Sequence, residues 1–286
     1  MVKAVDMTGK VCVITGASRG IGMETALGLA RLGATVVAIA RDPTRGAAAV
    51  TAIKARSGSE AVHLMLADLS SQEAIRQLAR ELAEHYEQIH VLVNNAGAIN
   101  MKRTVTVDGI ETTWAVNHLA YFLLTNLLLP TLEASAPARI VNVSSDAHKG
   151  GTLNFDDLQG ERRYSGWAAY SQSKLANVLF TYELARRLQR GVTANALHPG
   201  TVTTGFGKNN PGWFRWGITL AGLFMIKPAQ GAETSIYLAS SPEVEGVSGK
   251  YFEKCKETRS SPASYDEVAA RRLWEISAEM TGHVNT

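Results

Sequence analysis

The sequence predicts an α/β fold in which one doubly wound, mostly parallel sheet carries helices on both faces. Three observations predict it. Short apolar segments alternate with helix-like segments along all 286 residues. The apolar segments are continuous, as in Thr35–Ala40 (TVVAIA), which is typical of strands covered on both faces. A glycine-rich segment at residues 15–22 follows the first apolar segment, where a Rossmann-type fold passes from its first strand to its first helix.

The predicted strands are short and mostly continuous apolar segments. They are Lys10–Thr15, Thr35–Ala40, Val62–Leu66, Ile89–Val93, Ile140–Val143, Thr193–Leu197 and Lys250–Phe252. No linker and no internal repeat interrupts the alternation of these segments with helices. We therefore expect a single domain over residues 1–286.

The predicted helices lie between and after these strands, and several carry capping signals. Gly33 ends the first helix, and Asp42 followed by Pro43 begins the second. Ser70 and Glu73 form a capping box that begins the third. The predicted ranges are Gly20–Leu32, 43–58, Ser70–Tyr86, Gly109–Leu132, Gly166–Arg190, Pro228–Ser240 and Tyr265–Thr281.

Composition indicates a globular protein and excludes several functional classes. The net charge is +3, and no run of five basic residues occurs, so we expect no nucleic-acid partner. Cys12 and Cys255 belong to no Cys/His cluster, so we expect no metal site and no disulfide framework. Residues 1–6 lead directly into a strand without a signal or an anchor. We therefore expect a cytoplasmic protein with no transmembrane segment.

The glycine-rich segment TGASRGIG predicts a phosphate-binding loop. Glycine lets the backbone turn tightly and approach a pyrophosphate, and the following helix N-terminus presents N–H groups and partial positive charge to the anion. Its spacing, G-x-x-x-G-x-G, differs from the commoner G-x-G-x-x-G, so the flanking strand and helix carry the prediction. The candidate cofactor-binding residues here are Gly16, Ser18, Arg19, Gly20, Ile21 and Gly22.

The end of the second predicted strand indicates NADP(H) rather than NAD(H). NAD enzymes usually place Asp or Glu there to hold the ribose 2′-hydroxyl, whereas this chain has Ala40 and Arg41. An arginine can pair with a 2′-phosphate through two N–H groups. The alternative is that Arg41 is a solvated residue at a helix start. Arg19 is either a second cationic contact or a solvated loop residue.

Several motifs in the same order resemble the short-chain dehydrogenase/reductase family over about residues 8–255. A YxxxK motif alone is uninformative, but the ordered set is specific. The set is TGASRGIG (15–22), Asp68, Asn94-Asn95-Ala96-Gly97, Asn117, Ser144-Ser145, Tyr170-Ser-Gln-Ser-Lys174 and Pro199-Gly200. Residues 40–42, 135–145, 163–185 and 248–256 further resemble the retinol dehydrogenase branch of that family.

The resemblance implies hydride transfer between a nicotinamide and an alcohol/carbonyl pair, with catalytic residues Asn117, Ser145, Tyr170 and Lys174. Tyr170 would be the acid–base residue. Because Lys174 lies one helical turn further on, its charge and that of the oxidised nicotinamide would lower the pKa of the phenol. Ser145 would donate to the substrate oxygen, with Ser144 in support. Asn117 would hold a proton-relaying water, or would simply bond nearby backbone.

The resemblance also implies a cofactor surface beyond the glycine-rich loop. Its residues are Asp68, Leu69, Asn95, Ala96, Gly97, Tyr170, Lys174, Pro199, Gly200, Val202 and Thr204. Asp68 has a second interpretation, as a residue at the start of a helix. We expect His118 and His198, which neighbour these motifs, to be structural rather than catalytic.

The most apolar segment, Trp213–Ile226 (WFRWGITLAGLFMI), falls where the family covers its substrate. It is interpreted as helices packed over the sheet edge, as part of a substrate lid over about residues 203–228, or as a peripheral membrane contact. We expect a small lipophilic carbonyl or alcohol substrate that resembles retinal. The alternatives are reduction of steroids, quinones or small xenobiotic carbonyls, and a non-catalytic NADPH-binding regulator. Family habit implies homo-oligomers, but the sequence leaves the oligomeric state open.

Overall fold

The computed structural model describes residues 5–189, 191–200 and 226–283, which contain one eight-stranded sheet. The strands are β1 Val11–Thr15, β2 Thr35–Ala40, β3 Val62–Leu66, β4 Val91–Asn94, β5 Ala138–Val143, β6 Val192–His198, β7 Lys250–Glu253 and β8 Lys256–Thr258. Their order across the sheet is β3-β2-β1-β4-β5-β6-β7-β8. Val202, Thr204 and most of the predicted lid lie outside the described residues, so those predictions stay predictions.

The helices that connect or follow the strands are amphipathic or almost wholly buried. They are α1 Gly20–Arg31, α2 Pro43–Ser57, α3 Gln72–His85, α4 Thr112–Ala134, α5 Gly166–Arg187, α6 Pro228–Ser240 and α7 Glu267–Thr281. Helix α4 contains a π-helical turn over Ala115–Leu119. Short 3₁₀ turns lie at Asp146–Gly150, Pro242–Val244 and Pro262–Tyr265.

The topology of the sheet confirms the predicted doubly wound fold. All neighbouring strands are parallel except β7 and β8, which are antiparallel. The chain builds outward from β1 to β3 and then returns to place β4 on the other side of β1. The strand order therefore reverses between β1 and β4. At such a reversal the loops after the carboxyl ends of the strands diverge and leave a crevice.

Apolar side chains pack on both faces of this sheet. Phe122 and Phe180 belong to a buried layer between the sheet and α3, α4, α5 and α7. Leu27 and Ile53 belong to a second buried layer between the sheet and α1, α2 and α6. Cys12 lies in the second layer, as expected for a small apolar residue. The two layers hold the strand ends in fixed register beside the crevice.

Helix α4 is the central helix of the first buried layer. By length and composition it is apolar enough to cross a membrane, with a mean hydropathy of 1.3 over an 18-residue window. However, 72% of that window is buried inside the protein. The burial accounts for its apolar composition, because a helix enclosed by a sheet and other helices needs apolar residues all around.

The predicted capping box of α3 is wrong, because the helix begins one residue later than expected. Ser70 hydrogen-bonds Asp68 instead of capping the helix. The Oδ1 of Asp68 accepts from the Ser70 amide at 3.0 Å and from the Ser70 hydroxyl at 2.7 Å. Ser71 is the N-cap instead, and its Oγ accepts from the amide of Ala74 at 3.3 Å. Because the hydroxyl of Ser70 is bonded to Asp68, the adjacent Ser71 caps the helix.

Other differences from the sequence prediction lie at element ends. Helix α4 begins at Thr112 rather than Gly109, because the carboxylate of Glu111 accepts from the amides of Thr113 and Trp114. Helix α5 ends at Arg187 rather than Arg190, since Leu188 is extended. Helix α7 begins at Glu267 rather than Tyr265, where Asp266 is the N-cap. Strand β8 was not predicted at all.

Candidate active site

A cleft of about 840 Å³ lies along the carboxyl ends of β1 to β6, at the reversal of strand order. It contains every described residue that the sequence predicted to bind cofactor. These are Gly16, Ser18, Arg19, Gly20, Ile21, Gly22, Arg41, Asp68, Leu69, Asn95, Ala96, Gly97, Tyr170, Lys174, Pro199 and Gly200. Ser145 also lines it, whereas Asn117 does not. Segments far apart in the chain are thus brought to one continuous surface.

The glycine-rich loop packs so closely on the loop after β4 that side chains are excluded at two positions. Gly16 has φ +68°, and a Cβ there would lie 2.9 Å from the Cα of Ala96. A Cβ on Gly22 would lie 2.4 Å from the Nδ2 of Asn95. Asn95 braces this contact by donating from its side chain to the carbonyl oxygen of Thr15 at 2.7 Å. Asn95 therefore stabilises the close packing of the glycine-rich loop on the loop after β4.

The loop delivers the N-terminus of α1 to the cleft. Arg19 is the N-cap, forms no side-chain capping bond, and no acidic residue lies in the first turn. Nothing in that turn therefore opposes an anion, and the helix dipole favours one. Bare backbone and a positive helix end are what a pyrophosphate requires. The observed loop fits a dinucleotide phosphate.

The end of the cleft beyond β2 carries two arginines, Arg41 and Arg45, beside two aspartates, Asp42 and Asp68. Arg41 is 64% exposed, and its Nη1 lies 3.9 Å from the Oδ2 of Asp68. Arg45 also lines the cleft and was missed by the sequence reasoning, although its position in the first turn of a helix capped by Asp42 was a usable signal. Asp68 lines the cleft and also accepts from Ser70 ahead of α3, so both of its interpretations stay open.

Tyr170, Lys174 and Ser145 meet at the other end of the cleft. A hydrogen bond joins the hydroxyls of Ser145 and Tyr170. The Nζ of Lys174 donates to the carbonyl oxygen of Val143 at 3.0 Å and lies 5.7 Å from the centre of the Tyr170 ring. Ser144 also lines the cleft, and its hydroxyl donates to the carbonyl oxygen of Lys174 at 2.7 Å. The supporting role of Ser144 stays a prediction.

Burial sets the ionisation of this pair. Part of the Tyr170 surface opens onto the cleft, but dense packing raises the pKa of its phenol to about 12, against the hydrogen bond from Ser145. Burial also lowers the pKa of Lys174 to about 7. Desolvation therefore outweighs the hydrogen bond from Ser145. The expectation that Lys174 and an oxidised nicotinamide together lower the pKa of Tyr170 stays a prediction.

Asn117 lies behind the cleft in the π-helical turn of α4. Its Oδ1 accepts from the amide of Ala98 at 2.7 Å, and its Nδ2 donates to the carbonyl oxygen of Ala98 and to the Oγ of Ser173, each at 2.9 Å. Ser173 in turn donates to the carbonyl oxygen of Tyr170 at 2.7 Å. Asn117 thus ties the loop after β4 to the turn of helix that carries Tyr170.

The two neighbouring histidines, which the sequence predicts to be structural, both hydrogen-bond within the fold, and His198 also lines the cleft. His198 accepts from the amide of Asp146 through Nδ1 at 3.1 Å. His118 is fully buried and hydrogen-bonds the Oγ of Ser277 through Nε2 at 2.8 Å. Burial lowers the pKa of His118 to about 3, so its ring is neutral in the folded protein.

The mouth of the cleft near Tyr170 carries apolar side chains that the sequence reasoning missed. Trp167 is 57% exposed, lines the cleft, and has its ring centre 5.8 Å from that of Tyr170. Ile99, Val116 and Ala147 line the same cleft. The available signal was spacing, because Trp167 precedes Tyr170 by three residues and so shares its helix face.

Within the described ranges, no group of three acidic, His or Cys residues could hold a metal ion.

Comparisons with known proteins agree with this arrangement. A sequence model described as short chain dehydrogenase matches residues 10–213. Human retinol dehydrogenase 14 is 45% identical, with 96% of this chain and 87% of the relative covered. Mouse retinol dehydrogenase 12 is also 45% identical, over 97% of this chain and 88% of the relative.

Solved structures share the fold over most of the chain. A Mycobacterium paratuberculosis protein superposes with a TM-score of 0.79 at 33% identity, covering 98% of this chain and 96% of that one. The Pseudomonas aeruginosa RhlG/NADP active-site complex superposes with a TM-score of 0.70 at 28% identity, covering 88% and 97%. On the family match and the extent of these similarities, the chain belongs to the short-chain dehydrogenase family of NAD(P)-binding oxidoreductases, in its retinol dehydrogenase-like branch.

Proposed function

We propose that this protein is an NADP(H)-dependent reductase that converts a lipophilic aldehyde or ketone to its alcohol. One observation carries the proposal. A single cleft joins the arginine pair beyond β2 to the Ser145, Tyr170 and Lys174 cluster, with the glycine-rich loop between them. A dinucleotide extended along that cleft would have its adenosine end near Arg41 and its nicotinamide near Tyr170.

The cofactor would be held mainly by backbone and by cationic side chains. The glycine-rich loop and the N-terminus of α1 would hold the pyrophosphate, and Arg41 would pair with the 2′-phosphate, with Arg19 as a second cation. Lys174 would hold the nicotinamide ribose. The bound cofactor supplies the hydride. The RhlG relative, whose described complex contains NADP, supports this choice of nucleotide.

The protein residues would supply orientation and a proton. Ser145 would donate a hydrogen bond to the substrate oxygen, where negative charge develops as the carbonyl is reduced. Tyr170 would then pass its hydroxyl proton to that oxygen. Asn117, which hydrogen-bonds Ala98 and Ser173, would hold the helical turn of Tyr170 in position against the loop after β4. It would also hold the water that relays the proton.

The substrate class follows from the mouth of the cleft and from the relatives. Trp167 gives the Tyr170 end an apolar surface, which favours an apolar substrate body around a reacting carbonyl. The curated relatives are called retinol dehydrogenases. Retinal is therefore the first substrate to test, ahead of steroids, quinones and small xenobiotic carbonyls.

The test follows oxidation of NADPH, with NADH in parallel, against a carbonyl panel that includes all-trans-retinal. Turnover of retinal with NADPH and little with NADH supports the whole proposal. Turnover of other carbonyls alone removes retinal as the substrate. If NADPH binds and nothing turns over, a non-catalytic regulator becomes the better description.

Tyr170→Phe separates catalysis from cofactor binding. Removing the proton donor should lower kcat by about a thousandfold while the Kd for NADPH stays within about twofold. Tyr86→Phe, at the end of α3, is the matched control and should behave as wild type. Full activity in Tyr170→Phe would show that another group transfers the proton.

A further inference from the structure

His148 is a fully buried imidazole three residues after Ser145, and neither the family motifs nor the proposed mechanism uses it. It lies in the 3₁₀ turn Asp146–Gly150 that follows β5. Its Nδ1 is 2.7 Å from the carbonyl oxygen of Ser145, and its Nε2 is 3.0 Å from the amide nitrogen of Ser261. One ring therefore bridges the Ser145 backbone and a segment 113 residues away in the chain.

These partners determine which ring nitrogen carries the proton. A backbone N–H can only donate, so the Nε2 that faces Ser261 is an acceptor without a hydrogen. A carbonyl oxygen can only accept, so the Nδ1 that faces Ser145 is a donor. The neutral Nδ1–H form of His148 satisfies both contacts, and a protonated ring would direct a second N–H at the amide of Ser261.

The segment on the far side of His148 is itself anchored to the helix that carries Tyr170. The hydroxyl of Tyr182, on α5, is 2.7 Å from the Oγ of Ser260. The Oγ of Ser260 is 2.6 Å from the Oγ of Ser264, which donates to the carbonyl oxygen of Ser261 at 2.6 Å. All of these side chains are buried. The network therefore gives Ser261 a fixed position relative to α5.

Ser145 needs such support because its hydroxyl must face both Tyr170 and a substrate. The Oγ of Ser145 also accepts from the amide of Ala147 at 3.2 Å, which orients the side chain. The direction of the Ser145 carbonyl fixes the peptide plane that follows, and His148 holds this carbonyl twice, with its backbone amide at 3.1 Å and with its side chain at 2.7 Å. Loss of the side-chain contact would leave the carbonyl to the backbone bond alone and so allow Ser145 to turn relative to Tyr170.

We propose that His148, as the neutral Nδ1–H tautomer, is a positioning residue that holds Ser145 in register with Tyr170 through Ser261. The proposal rests on the function proposed above, in which Ser145 binds the substrate oxygen. His148 touches neither substrate nor cofactor in this scheme, and it acts only through the Ser145 backbone.

The surroundings of His148 favour the neutral ring. Burial lowers its pKa and the charge of Lys149 acts in the same direction, whereas the hydrogen bond to the Ser145 carbonyl and the charge of Asp146 oppose both. Tyr251 on β7 packs against the ring at 4.9 Å between centres, and its hydroxyl lies 3.5 Å from Nδ1. His198 on β6 is close enough to interact electrostatically, and burial lowers its pKa as well.

Two isosteric variants separate the two contacts. In His148→Asn the side-chain amide occupies the Nδ1 position, so the donor to Ser145 is kept and the acceptor for Ser261 is lost. In His148→Gln the amide reaches the Nε2 position, so the acceptor for Ser261 is kept and the donor to Ser145 is lost. Both variants remove one hydrogen bond and part of the ring, so their stabilities should be similar.

We expect both variants to lower kcat about fivefold to tenfold, with KM and the Kd for NADPH within about twofold and melting temperatures close to that of wild type, because loss of either contact breaks the bridge. A wild-type kcat in either variant would overturn the proposal, because the bridge needs both contacts. Ser145→Ala separates this failure from that of the proposed function. If Ser145→Ala leaves kcat unchanged, both proposals fall.

The tautomer is measurable without any variant. Long-range ¹H–¹⁵N correlation spectra of protein labelled with ¹⁵N-histidine distinguish Nδ1–H from Nε2–H rings, and comparison with His148→Asn assigns the signal. We expect an Nδ1–H ring at neutral pH. An Nε2–H or doubly protonated ring would contradict the arrangement even if the variants fail to fold.

Discussion

The sharpest prediction concerns the end of the cleft beyond β2, where Arg41 would recognise the 2′-phosphate of NADP(H). Arg41→Ala should weaken binding of NADPH and leave binding of NADH unchanged, because only NADPH carries the phosphate. The substitution also removes the partner of Asp68, 3.9 Å away, whose carboxylate would then repel the phosphate unopposed. Both effects act in the same direction and only on the phosphorylated nucleotide.

The magnitude follows from the exposure of the side chain. Hydrogen bonds to charged groups contribute about 1.5–3 kcal/mol, and a side chain that is 64% exposed belongs at the low end of that range. A loss of about 1.5–2 kcal/mol raises the Kd for NADPH by roughly tenfold to thirtyfold. Arg45→Ala is the matched control. Because Arg45 pairs with Asp42 at 3.1 Å, its removal should have a smaller effect.

Nucleotide affinity is best measured by fluorescence titration of NADPH and NADH at low and high salt. At about 1 M salt the Debye length falls to about 3 Å, so the difference between wild type and Arg41→Ala should shrink. If NADPH and NADH weaken equally, or if neither changes, Arg41 does not bind the 2′-phosphate and the assignment of NADP(H) loses its basis.

Two further predictions concern the substrate end and the core. Trp167→Ala should raise KM for an apolar carbonyl about fivefold with little change in kcat, because loss of a half-exposed indole removes about 1 kcal/mol of apolar contact. A small hydrophilic aldehyde is the control substrate. An unchanged KM for the apolar carbonyl would show that the substrate does not bind against Trp167. For His118, the folded pKa of about 3 lies below the unfolded value of about 6.5, so the unfolded chain binds a proton that the folded protein excludes. As the pH falls from 6.5 to 5, this residue should therefore lower the free energy of unfolding by about 2 kcal/mol. Denaturant titrations of His118→Gln should lack this decrease. An identical pH dependence in both proteins would contradict the neutral, buried ring.

The sheet was predictable from sequence wherever a segment is apolar throughout. Strands β2 and β3 and helix α6 have the predicted bounds, because β-branched runs and a proline in the first helical turn are local signals. Strand β8 was missed because its residues, Lys256–Thr258, are polar and exposed. Its hairpin turn uses Lys254 and Cys255 at positive φ, without the Asn-Gly or Asp-Gly signal typical of such turns.

The lining of the cleft was predictable because the carboxyl ends of parallel strands converge at one edge of the sheet. Contacts between distant segments were not. The partners of Asn117 and the bridge from His148 to Ser261 depend on how helices pack after the chain has folded. The same holds for ionisation. Helical spacing places Lys174 beside Tyr170, but the extent of burial, which sets the pKa of both groups, is a property of the complete fold.

Burial of the Tyr170 and Lys174 pair favours the protonation state from which carbonyl reduction would start. Desolvation raises the pKa of the phenol and lowers that of the ammonium group, so at neutral pH Tyr170 keeps its proton and Lys174 is only partly charged. A proton donor to a developing alkoxide must hold its proton until that stronger base forms, and a raised pKa meets this requirement. Alcohol oxidation would instead need the phenolate, which burial disfavours and which a partly protonated Lys174 stabilises only in part. Burial thus favours a starting protonation state and not a direction of net reaction, because Tyr170 would be the acid in reduction and the base in oxidation, and the concentrations of cofactor and substrate decide which reaction proceeds.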